Sequence, residues 1–186
     1  MAMNLFATGI VLGIVISVPP GPNAALCIDL ARGGVRRAIP LITGAALTDA
    51  AYSLLAASGV LIAGRASSSA LAVLAPCFLL GTAILFWSPA SISPKAAVGI
   101  ALLNPATAAI WLSLSSTPAL RAISTPDLLI RPLPVALGTA AWFTLLAVVS
   151  AKLSFRLTPQ LTANLRKLLA VSLAVLGLVS LGPILF

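Results

Sequence analysis

Apolar residues dominate the chain and gather into six segments, at residues 5–30, 38–63, 69–88, 96–116, 132–152 and 167–186. Each is close to the ~20 residues that a helix needs to cross a bilayer. The segments do not alternate polar and apolar positions as barrel strands do. In lipid, an isolated apolar stretch satisfies its backbone only as a helix. The pattern therefore predicts an all-α membrane protein with six transmembrane helices in one domain, residues 1–186. Short tracts join the segments. Arg32-Gly33-Gly34-Val35-Arg36-Arg37 links the first two, residues 64–68 the next pair, and residues 88–95 the third and fourth. Residues 117–131 form the longest loop, and residues 153–166 join the last pair.

Composition agrees with this class. Hydrophobic residues make up 60% of the 186 residues and charged residues 8%. A soluble domain carries about 45–50% apolar and about 25% charged residues. So few charges argue against a cytosolic enzyme, a nucleic-acid module and a disordered chain. The formal charge of +8 comes from 11 Lys and Arg against 3 acidic residues. The basic residues lie between the apolar runs, where they set topology rather than bind nucleic acid. The tracts after segments one, three and five hold eight of the 11: Arg32, Arg36, Arg37, Lys95, Lys152, Arg156, Arg166 and Lys167. The other side holds Arg65, Arg121 and Arg131. The richer side is expected to be cytoplasmic, with both termini extracytoplasmic. No basic n-region precedes residues 5–18 and no small-residue cleavage motif follows, so the first segment reads as a retained span.

Two segments cannot be continuous helices. Pro19, Pro20, Gly21 and Pro22 interrupt the first near its middle. Proline removes an N–H, clashes with the preceding turn and pushes the residue before it out of the α region. Pro22 suits the first position of a new half-helix. Asn104-Pro105 interrupts the fourth segment, with Asn as N-cap and Pro as first residue. A half-helix N-terminus carries about half a positive charge and unpaired N–H groups. Two such ends at midplane would seat a carboxylate. Breaks in the first helix of each half also suggest a 3+3 inverted repeat, because a three-span repeat must invert.

Asp49 lies mid-segment within residues 44–53 (Gly-Ala-Ala-Leu-Thr-Asp-Ala-Ala-Tyr-Ser). An intramembrane acid costs ~2.5–3.5 kcal/mol on insertion scales, so it should face the bundle interior. Ala45, Asp49, Ser53 and Ala56 share one small, polar face, and Thr48, Tyr52 and Ser53 add hydroxyls. Asp49 could hold a substrate ammonium, take a proton, or do both. The binding candidates are Pro20, Gly21, Pro22, Asn23, Asp49, Tyr52, Ser53, Asn104 and Pro105, with Asp49 as the proton-coupling group. Asp29 reads as an i,i+3 partner of Arg32. Gly9, Gly13, Ser17 and Gly21 recur at four-residue spacing, a face for tight packing inside the protomer that would also serve a homodimer. The chain has no His, and Cys27 and Cys77 form no metal-binding pattern, so no metal or other cofactor is expected.

These motifs resemble those of the amino-acid exporters of the lysine exporter and threonine/homoserine efflux family (LysE/RhtB). The matching stretches are Val18–Asn23, the Arg32–Arg37 tract, residues 44–52, Gly99–Pro105 and the late basic stretch at 165–168. Ala106 stands where members commonly carry lysine. The resemblance implies export, without enzymatic chemistry, of amino acids or related small metabolites across the bacterial inner membrane, driven by protons. It also implies that Gly21 with its neighbouring prolines, Asn104 and Asp49 are the functional positions. The alternatives are a non-transporting membrane protein of the same fold, or a thiol-disulfide electron carrier using Cys27 and Cys77.

Overall fold

The computed structural model describes residues 2–18, 21–57, 68–87, 93–104, 107–108, 110–111, 114, 132–153 and 159–185. Nearly all of these residues are helical. The helices are α1 (Ala2–Ser17), α2 (Pro22–Ala31), α3 (Val35–Ala57), α4 (Ser68–Trp87), α5 (Pro94–Leu102), α6 (Pro132–Leu153) and α7 (Pro159–Leu185). Helical residues recur at 107–108, 110–111 and 114. Pro19, Pro20, Pro105 and the loop at 117–131 lie outside the described residues.

Among the described residues, two helices are long and apolar enough to cross a membrane, the stretches Val35–Ala56 and Pro132–Leu153. The pair Phe6–Ser17 and Pro22–Ala31 makes a third if counted as one span, bent by 85°. Two shorter apolar stretches, Pro76–Trp87 and Ala170–Val179, lie within α4 and α7. Six full spans therefore exceed what helix length and composition establish among the described residues.

Helix limits differ from the sequence expectation at two places. Helix α3 begins at Val35, so Arg36 and Arg37 occupy its first turn instead of the linker. The α2–α3 connection shrinks to Arg32–Gly34, where Gly34 takes a φ of +110°. Only glycine enters that region without strain. Helix α7 begins at Pro159, so Arg166 and Lys167 lie within a helix that extends beyond the apolar run.

Packing is governed by small residues. Helix α1 lies on α6, and α6 on α3. A Cβ on Gly9 would stand 2.7 Å from Pro134 Cγ, one on Gly13 would collide with the Val135 carbonyl, and one on Gly138 with the Ile10 carbonyl. Glycines on both sides of the crossing let the backbones touch. The small face of α1 is thus used within the chain. Ala25, Leu26, Leu41, Ala45, Phe86, Ala101, Phe143 and Leu173 contribute to the main apolar core, which draws on α2 through α7. Trp111, Val135 and Ala56 form a second cluster beneath α1, with Leu12 and Ile16 packed against it.

Candidate functional site

Both helix breaks reach one pocket. Gly21, Pro22 and Asn23 come from the first break, Asn104 from the second, and Asp49 from the middle of α3. The pocket has a volume of about 130 Å³. Ser17 and Thr107 add hydroxyls, and Ile16, Ile110 and Phe143 supply apolar walls.

Local backbone chemistry builds each half. Helix α2 starts with Gly21 as an extended N-cap (φ −141°, ψ −175°) and Pro22 in its first turn. Glycine brings no capping side chain, and no side-chain hydrogen bond covers this end. The first intrahelical bond runs from Ala25 N–H to Gly21 C=O at 3.1 Å. The N–H groups of Asn23 and Ala24 precede it, as the orphan donors of a helix start. At the second break, α5 ends with Leu103 at φ −92°, ψ 7°. Ala108 N–H then bonds Asn104 C=O at 3.4 Å, which begins a new turn. Asn104 is buried at 4% exposure.

Asp49 is 5% exposed and its carboxylate is held from two sides. Trp111 Nε1 donates to Oδ1 at 3.0 Å. Thr139 Oγ1 donates to Oδ2 at 2.7 Å. Ser17 Oγ lies 3.3 Å from Thr139 Oγ1 and donates to the Gly13 carbonyl at 2.8 Å. The acid thus ties α3 to α6, to the half-helix after Asn104 and, through Thr139, to α1. A carboxylate offers about four lone-pair positions. Two are used here, so capacity for a further donor remains.

The amide of Asn23 contrasts with this. Its Oδ1 is buried and has no hydrogen-bond partner. A buried acceptor left open is costly, which suits an atom that meets a ligand.

The predicted residues divide accordingly. Gly21, Pro22, Asn23, Asp49 and Asn104 meet at the pocket. Tyr52 and Ser53 are not among the described residues that line it. Ser53 is buried with its hydroxyl donating to the Ala50 carbonyl at 2.8 Å. Tyr52 lines a different recess with Thr48, Leu55 and Leu102. The narrow face Ala45, Asp49, Ser53 and Ala56 is buried along its length. Neither Thr139 nor Trp111 stood out in the sequence as a ligand of Asp49. A buried indole normally finds an acceptor, but nothing along the chain names Asp49 as that acceptor. Cys27 and Cys77 are both free. Cys27 is buried with its thiol 3.4 Å from the Phe143 carbonyl, and Cys77 is exposed on α4.

Residues 14–95 match the family model of the LysE type translocator. The match agrees with the LysE/RhtB resemblance drawn from the motifs, and it supports a membrane transporter. It takes in the first break and Asp49, whereas Asn104, Trp111 and Thr139 lie beyond it. Neither the curated proteins nor the solved structures yielded a match.

Proposed function

We propose that the chain is a secondary active exporter of amino acids or related small metabolites in the bacterial inner membrane, driven by the proton motive force. The observation that carries this reading is the shared pocket, where two helix breaks meet a buried acid. The cargo carboxylate sits against the N-terminus of α2, beside Asn104. The cargo ammonium takes the remaining capacity of Asp49. A proton arriving on Asp49 from outside displaces the ammonium and resets the carrier. One charge crossing 100 mV yields ~2.3 kcal/mol, enough to drive a substantial gradient.

The wider architecture in this proposal is a single six-span domain with a 3+3 inverted repeat. Helix α1 packs on α6 and α5 on α3, while α3 meets α6 and α4 meets α7. These pairings interchange or map onto themselves when the first three segments swap with the last three. Orientation is supported by Lys167, whose Nζ stands 5.9 Å from the Trp87 ring centroid. That contact joins the end of the third segment to the start of the sixth, on the side richer in basic residues. Both termini then face out.

The test is efflux from cells loaded with a mixed set of dipeptides, comparing wild type, Asp49→Asn and an empty vector. Selective efflux by wild type, lost against a gradient in the variant, is the expected result. Efflux equal to the empty vector, with insertion confirmed, would remove the exporter reading. Uphill export at the wild-type rate by Asp49→Asn would remove the coupling role.

A further inference from the structure

We infer that the pocket selects α-amino acids with short, uncharged side chains, and that Phe143 and Ile110 set the size limit. The inference rests on the exporter reading above and specifies its substrate class.

Size gives the first argument. The pocket holds about 130 Å³. A protein cavity of about 150 Å³ takes one benzene ring, roughly six non-hydrogen atoms. The zwitterionic head of an amino acid with one or two side-chain atoms is of this size. The long side chains of lysine and arginine exceed it. Phe143, 3% exposed and embedded in the main core, closes one wall, and Ile110 another.

Charge gives the second. Asp49 is the one ionisable group among the described residues lining the pocket. The sequence around both breaks, residues 14–28 and 96–114, contains no charged residue at all. Asp49 answers the cargo ammonium and the bare start of α2 answers the carboxylate. A third charge, on the cargo side chain, would be buried without a counter-charge, which is strongly unfavourable.

An open acceptor adds to size and charge. Both Asp49 oxygens already accept one hydrogen bond, whereas Asn23 Oδ1 accepts none. A small cargo that settles deep in the pocket brings an N–H or O–H to Asn23. A short hydroxylated side chain can do so as well as the ammonium.

The experiment is counterflow exchange in proteoliposomes of the purified full chain. The probes are labelled alanine, serine, leucine, lysine and glutamate, with protein-free vesicles as the baseline. Exchange needs no proton gradient, so it reads selectivity apart from coupling. Alanine and serine should exchange about tenfold faster than leucine, in the range a tight apolar wall can enforce, and lysine and glutamate should stay at baseline. Phe143→Ala should raise the leucine-to-alanine ratio several-fold. Ile110→Val, a milder change, should raise it in the same direction if Phe143→Ala does not fold. Lysine, glutamate or leucine exchanging as fast as alanine in wild type would overturn the inference and leave the exporter reading intact. No exchange of any amino acid, by protein shown to be folded, would overturn both.

Discussion

Thr139 on α6 donates its hydroxyl to Oδ2 of Asp49 on α3 at 2.7 Å, across 90 residues of sequence. The same hydroxyl lies 3.4 Å from the Gly13 carbonyl and 3.3 Å from Ser17 Oγ, so α1 meets the acid through it. A hydroxyl has one proton. While it points at an ionised Asp49, the Gly13 carbonyl is served by Ser17. Once Asp49 is protonated it can donate in its turn, and Thr139 is freed toward Gly13. In the proposed cycle, the charge on Asp49 would thereby be linked to the α1–α6 crossing.

Thr139→Val keeps the shape and removes that link. An interhelical hydrogen bond in a membrane protein is worth about 0.6 kcal/mol on average and about 1.7 at most. Thermal melts in detergent should fall modestly, while uphill efflux should drop at least about tenfold, one decade being ~1.4 kcal/mol. Efflux that falls only as far as protein abundance would make Thr139 merely structural.

Trp111→Phe retains the ring and deletes the donor to Oδ1. Alone it should resemble Thr139→Val. The double variant should lose more stability than the two single losses added together, because the last partner of a buried carboxylate is then gone. Residues in one network couple by about 0.5–3 kcal/mol. Strict additivity in a denaturation series would show that the two donors do not act on a common group.

Gly13→Ala and Gly138→Ala put a methyl group into facing backbone, at Val135 and Ile10 respectively. Overpacking of this kind costs about 1–3 kcal/mol. Gly81→Ala is the control, since nothing lies within 4 Å of a Cβ there. The expected order of melting temperatures is wild type close to Gly81→Ala, with the other two well below. Equal melting of all four would refute the close crossing.

Replacing Cys27 and Cys77 together by serine should leave efflux within about twofold, because serine retains a donor for the Phe143 carbonyl and surface changes such as that at Cys77 are usually small. Complete loss of activity, with insertion intact, would favour the thiol-disulfide alternative.

The sequence read by itself established the helical membrane class, because lipid offers backbone groups no other partners than their own helix. It also located both breaks, since prolines and an Asn-Pro step act within one or two residues of themselves. Asp49 stood out for the cost of an acid in an apolar run. Helix ends were less legible. Arg36, Arg37 and Arg166 are polar enough to read as linker, yet their backbones lie within α3 and α7. The partners of Asp49 were not legible at all. Thr139 and Trp111 carry no local signal that tells them from any other hydroxyl or indole in a span. Tyr52 and Ser53 share the helix of Asp49, yet the packing of α3 turns the one to another recess and the other to its own backbone. Periodicity names the residues on a face. Only the crossing of α1, α3, α5 and α6 decided which of them meet, because a hydrogen bond forms within about 3 Å and neighbours across helices have no fixed distance in sequence.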